Sequence, residues 1–224
     1  LAAINGSTQG FYDRQWDVLH TQIRGTLNVI DACVANGVKT LVLFSSSEVY
    51  QTPPVFPTPE DVPLVVPDLK NPRFSYGGGK IAAELMAWWS AIPRVVIIRP
   101  HNVYGPGQRP GHVIPDVIER LDALEDGRAL TVNGRGARAY CYVEDLVSGA
   151  LKAAAGQHPE QPRPTCREVY HVGTERVVDA AELAARIAKI MGRTVSIEEQ
   201  TGGAIGGTAH RCPDTRKLRA LGWE

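Results

Sequence analysis

Apolar residues recur along this chain with two periods, and their alternation predicts a series of helices and strands. Over residues 14–36 the positions Val18, Ile23, Leu27, Ile30 and Val34 share one face of a 3.6-residue repeat, which predicts an amphipathic helix, and Gly37 is placed to stop it. Residues 38–44 and 93–100 are short, nearly continuous apolar runs, the pattern of strands covered on both faces of a parallel sheet. Residues 1–4 read as the end of another such strand. A helix carrying Tyr76 runs to about Ser90. Further helices are predicted near 113–126, 144–155 and 179–191, the last with Asp179 as its cap. Strands are predicted near Leu130 and over 138–143, 169–172 and 195–198.

Strands that alternate with helices predict an α/β protein with a parallel sheet covered by helices on both faces. Residues 51–72 hold seven prolines in twenty-two positions, which excludes a helix or a central strand and predicts a long ordered loop. Loops of that length are usually functional. Residues 157–164 read as a surface linker. The glycine-rich run 202–207 reads as flexible, and it lacks the strand-to-helix setting of a dinucleotide turn.

Composition narrows the class. The 24 basic residues balance the 24 acidic ones, so no net field draws the chain to nucleic acid or to an anionic membrane, and an anionic ligand must be met by local arginines. Cys33, Cys141, Cys166 and Cys212 form no CxxC pair; neither a zinc knuckle nor a dithiol site is expected, and a reduced, cytoplasmic setting without a metal fits best. No apolar run approaches the roughly twenty residues of a membrane span, and residues 1–5 lack the marks of a signal peptide.

The chemistry concentrates in two segments. Ser45, Ser46, Ser47 and Glu48 follow the apolar run 40–44, and in open α/β sheets ligands bind outside the carboxyl ends of the strands. Tyr76 and Lys80 stand four apart on a helix and so share a face. An ammonium close to a phenol favours the phenolate and lowers its pKa, which would turn Tyr76 into a base while a serine hydroxyl holds the substrate oxygen. Three glycines between Tyr76 and Lys80 each cost about 1 kcal/mol relative to alanine in a helix, so backbone or cofactor is expected to pack closely there.

The ordered set Gly25-Thr-Leu-Asn-Val29, Ser46-Ser-Glu-Val-Tyr50, Tyr76 with Lys80, Arg99-Pro-His-Asn-Val-Tyr-Gly-Pro106, Arg138 with Tyr142-Val-Glu-Asp145, Arg211-Cys-Pro-Asp214 and Leu221-Gly-Trp223 resembles the extended short-chain dehydrogenases that act as nucleotide-sugar epimerases, dehydratases and decarboxylases. The resemblance implies a doubly wound, Rossmann-like parallel sheet, here lacking its first strands, with a smaller C-terminal substrate lobe. It divides the chain into core over 1–105, substrate lobe over 106–138, core again over 139–176 and lobe over 177–224. It implies NAD, with NADP not excluded, a nucleotide-sugar substrate and a homodimer formed by the helix 14–36 and the Tyr76 helix.

By the same resemblance Ser46, Ser47, Glu48, Tyr76 and Lys80 form the catalytic set. Leu1, Ala2, Ala3, Ser45, Tyr76, Lys80, Pro100, His101 and Val103 face the cofactor, and Asn102, Arg138 and Arg211 hold the substrate. A transient 4-keto-sugar is implied, with Glu48 as a second acid or base beyond plain inversion, or alternatively as a cap. His101 either titrates near neutral pH beside the nicotinamide or is a hydrogen-bonded structural histidine. Gln22 stands where an asparagine is common and Gln51 where a glycine usually follows the tyrosine. The glycine-rich turn of such folds falls outside these residues. Decarboxylation, or sugar-nucleotide binding without catalysis, are the competing readings.

Overall fold

The computed structural model describes residues 13–133, 136–156, 166–200 and 210–224. Helix α1 spans Gln15–Ala35 and ends in Gly37 at φ 63°, a left-handed conformation that glycine adopts without a steric penalty. Strand β1 is Thr40–Phe44, helix α2 is Phe74–Trp88 and strand β2 is Arg94–Pro100. Strand β3 is Val103–Tyr104, helix α3 Val113–Ala123, strand β4 Ala129–Asn133, strand β5 Ala137–Ala139 and strand β6 Cys141–Tyr142. Helix α4 is Val143–Ala155, strand β7 Cys166–Val172, strand β8 Val177–Val178 and helix α5 Ala180–Ile190. Strand β9 is Ser196–Gln200, strand β10 His210–Arg211 and helix α6 Arg216–Arg219.

Strands β1, β2 and β7 form one parallel sheet in that order. Central β2 is an apolar run with Val95, Val96, Ile97 and Ile98 fully buried, as a strand covered on both faces requires. Helices α1 and α2 close one side, where Ile30, Ala87 and Ile92 meet Val95 and Ile97; on the other, Val96 and Ile98 pack with Ala150, Ala153, Leu218 and Trp223. A separate core joins α3, α5, β4 and β9 through Val117, Leu121, Leu130, Leu183 and Ile187. Asp179 caps α5 as expected, its Oδ1 accepting the Glu182 N–H at 2.7 Å.

Two expectations need correction. The run 138–143 is not one strand: β5 pairs with β8 and β10, β6 pairs with β3, and Val143 already begins α4. Short alternation announces extended backbone but cannot say which sheet receives each residue. Strand β1 is half-buried with Thr40 and Phe44 exposed, because among the described residues only β2 pairs with it. The expected strand at 1–4, the linker 157–164 and the run 202–207 lie outside the described residues.

Candidate active site

At the carboxyl end of β1 the chain turns sharply. Ser46 is extended, and its Oγ accepts the Glu48 N–H at 3.2 Å, opening a single turn of 3-10 helix over Ser47–Val49. A short hydroxyl at this cap position satisfies an otherwise orphaned donor. Gln51 then adopts φ 54° and donates from Nε2 to the Glu48 carbonyl at 2.5 Å. The glycine-like backbone at this position is therefore kept although the side chain differs.

This turn lies hard against α2. A Cβ on Gly77 would come 2.9 Å from the Glu48 carbonyl oxygen, and one on Gly79 would come 2.6 Å from Gln22 Oε1. Backbone and the neighbouring helix thus explain two of the three glycines. Gly78 has room, with Val66 at 3.6 Å.

The Ser46 hydroxyl hydrogen-bonds the phenol of Tyr76. One turn on, Lys80 places Nζ 5.8 Å from the Tyr76 ring centre and donates to the Phe44 carbonyl at 2.8 Å. The expected lowering of the Tyr76 pKa is overturned. Burial raises it above the ordinary value and Glu48 adds to the rise, while the Ser46 hydrogen bond and Arg211 oppose. The Lys80 ammonium sits over the ring rather than at its oxygen and is itself pushed down by burial, against the pull of Glu84.

Beyond Glu48 opens a cavity of about 240 Å³, walled by Arg73, Asn102, His112, Arg138 and Arg211 as well as Glu48 itself. Glu48 Oε1 and Arg211 Nη1 are 2.6 Å apart. Burial pushes the Glu48 carboxyl up, but Arg211, Arg73 and Arg138 outweigh it and hold the group below the usual carboxylate value. Burial, then Arg211, lowers Arg138, although a guanidinium stays charged at working pH. Three guanidinium groups less one carboxylate leave two positive charges over, suited to a doubly charged anion.

Arg138, Arg211, Asn102 and Glu48 are brought together here, and Val103 borders the same cavity. Asn102 is at φ 39° and donates from Nδ2 to the Ala139 carbonyl at 2.9 Å. Arg73 and His112 were missed by sequence reasoning. Arg73 is a cation in Asn71-Pro72-Arg73 just ahead of the Tyr76 helix, a setting that solvent-facing arginines share.

Ser45 turns away into the protein, its hydroxyl donating to Glu84 Oε1 at 2.5 Å, and Ser47 is buried in the turn. Pro100 ends β2. His101 is not the hydrogen-bonded structural histidine: its ring is buried edge-on to His171 at 4.9 Å and neither nitrogen has a hydrogen-bond partner. Burial, reinforced by His171, Arg211 and Arg99, holds its pKa well below the ordinary histidine value. Leu1, Ala2 and Ala3 lie outside the described residues. Among the described residues no cluster of His, Cys, Asp and Glu could hold a metal ion, and no helix is long and apolar enough to cross a membrane.

A family model described as the NAD dependent epimerase/dehydratase family matches residues 1–173. The chain is 31% identical over 206 residues to a UDP-glucose 4-epimerase of Mycolicibacterium smegmatis, covering 89% of this chain and 62% of that protein. It is 27% identical over 237 residues to a dTDP-4-dehydro-6-deoxy-D-allose reductase of Streptomyces bikiniensis, covering 100% of this chain and 68% of the relative. The chain thus spans about two thirds or less of the length of these relatives. Among solved structures, MoeE5 in complex with UDP-glucose and NAD superposes with a TM-score of 0.80 at 25% identity, covering 100% of this chain and 71% of the other.

Proposed function

Because this chain belongs to the NAD dependent epimerase/dehydratase family, we propose that its function is to remodel a nucleotide sugar through a transient 4-keto intermediate. The observation that carries this reading is the shared wall: a serine-bound tyrosine, a carboxylate and an arginine-rich cavity lie side by side at the carboxyl end of β1.

The residues present fit a nicotinamide cofactor. Both ring nitrogens of His101 are buried without partners just past β2, and the Lys80 ammonium lies along the same edge as Tyr76. Lys80 would hold the ribose and His101 would face the ring. A nicotinamide held there would supply the acceptor and donor of the hydride exchanged with the sugar carbon. Tyr76 takes the proton of the sugar hydroxyl, which Ser46 orients. The Ser46 hydrogen bond, with Arg211 adding, opposes the burial that raises this phenol. Glu48, kept ionised by its arginines, serves as base on a carbon made acidic by the neighbouring ketone. Arg138, Arg211 and Arg73 bind the diphosphate, for which the net charge of the cavity supplies the counter-charge.

The test is incubation of the protein and NAD with a panel of UDP-, GDP- and dTDP-sugars, followed by product analysis. Conversion of at least one sugar is expected. Absence of both conversion and bound nicotinamide would overturn the reading.

A homodimer through α1 and α2 belongs to the same proposal. Trp16 and Val34 on α1, Leu85 on α2 and Trp89 at its end are exposed, an apolar face that a second copy would cover. Sedimentation should give twice the chain mass, and Leu85→Glu with Trp89→Glu should give the monomer.

A further inference from the structure

The ion pair of Glu48 and Arg211 joins two segments far apart in sequence, and a second, fully buried contact joins the same two segments from beneath. Tyr50 lies two residues beyond Glu48 on the same turn, and its hydroxyl is 2.6 Å from His171 Nε2. His171 Nδ1 is 3.3 Å from the carbonyl of Asp214, three residues beyond Arg211. One tautomer satisfies every group: Nδ1–H donates to Asp214, Nε2 accepts from Tyr50, and the Tyr50 oxygen accepts from Arg99 Nη1. Arg99 is fixed in turn by Glu84 through bonds of 2.9 and 2.6 Å, and the same carboxylate receives the Ser45 hydroxyl. A continuous buried chain of hydrogen bonds therefore starts at Ser45, next to Ser46, and ends at the Asp214 carbonyl, three residues beyond Arg211.

We propose that Tyr50 and His171 are positioning residues, a clamp that sets the distance between the Glu48 turn and the segment bearing Arg211. The backbone of that segment is held separately by the proline-rich loop, where Thr58 N–H donates to Cys212 O and Asp214 N–H donates to Thr58 O, both at 2.8 Å. The same loop also touches the Glu48 turn through its backbone, Val65 N–H donating to the Val49 carbonyl at 2.9 Å. The buried side-chain link from the turn to that segment passes through the Tyr50 hydroxyl and His171. Sub-ångström placement at such sites governs rate, since a shift of about 1 Å can cost about a hundredfold. The groups facing His171 are Arg99, Lys217, Asp214, the carboxylate of Glu60, which accepts the His171 N–H at 3.1 Å, and the His101 ring. With Arg99 so close, the clamp works with His171 neutral.

The clamp's geometry can be read without substrate, so its failure is distinguishable from failure of the function proposed above, on which only its catalytic consequence rests. The measurement is carboxyl-carbon NMR of Glu48 through a pH titration of the ligand-free protein and of Tyr50→Phe, Arg211→Gln and their double variant, with urea unfolding to establish that each is folded. His171→Gln serves as a second break in the same link if Tyr50→Phe does not fold. In the wild type Glu48 titrates below the ordinary glutamate value, and Tyr50→Phe moves its midpoint upward by about half a pH unit or more. Adding Tyr50→Phe to Arg211→Gln produces no further shift, as expected for coupled groups. A folded Tyr50→Phe protein whose Glu48 midpoint stays at the wild-type value, or shifts that simply add in the double variant, would overturn the proposal. With substrate, the same variant raises KM about tenfold and lowers kcat less.

Discussion

At the Tyr76 oxygen two influences oppose each other: removal from water raises the proton affinity, and the Ser46 hydroxyl stabilises the phenolate. Tyr76→Phe deletes the oxygen proposed as the proton acceptor and leaves the ring in place. Its kcat should fall by about 10²- to 10⁴-fold with little change in KM, while the urea midpoint stays near wild type; steady-state kinetics beside an unfolding curve check both. Ser46, Glu48, Tyr76 and Lys80 were legible in the sequence because their spacing alone puts hydroxyls and a carboxylate at a strand end and two groups on one helical face. Arg73 was not, since a lone arginine before a helix has the same sequence appearance whether it faces solvent or the Glu48 carboxylate. The direction of the Tyr76 shift was also illegible, because it depends on where the Lys80 ammonium points.

Helix α2 carries three consecutive glycines, each unfavourable by propensity, and their surroundings separate them. Gly78→Ala gains helix propensity with space for its methyl group and should stabilise the protein by about 1 kcal/mol. Gly77→Ala gains the same propensity but drives its methyl group into the Glu48 carbonyl and should cost about 1–2 kcal/mol net. Urea unfolding of the two variants reads the difference, and similar effects from both would contradict the packing described. The expectation that something packs closely here came from the sequence; that it is the Glu48 turn and Gln22 came only from the fold. The cap of α5 was readable for the opposite reason, since a cap is made by residues adjacent in the chain.

Over the whole molecule, acid should act mainly through two buried histidines. Burial, with Arg99 adding, lowers His171 to about 3, and His101 is held well below its ordinary value. The unfolded chain binds protons at these positions below about pH 6.5 while the folded one does not, so stability is complete above that value and declines as pH falls towards about 3. Glu48 acts in the same direction lower down: its folded pKa is depressed, so its contribution is present above 4.5 and is lost as pH falls through the folded value. Urea unfolding at successive pH values should show each histidine steepening the decline by about 1.4 kcal/mol per pH unit, and His171→Gln should remove one such increment. An unchanged slope in that variant would show that His171 titrates normally in the fold. Periodicity by itself determined the order and kind of the main elements, the long proline-rich loop and the identity of the residues at the strand ends, because these depend on neighbours within a few positions of each other. Only the tertiary structure decided which strands pair, that Glu48 meets Arg211 across 163 steps of chain, and that Tyr50 reaches His171, because such contacts are set by how distant elements pack rather than by any local pattern.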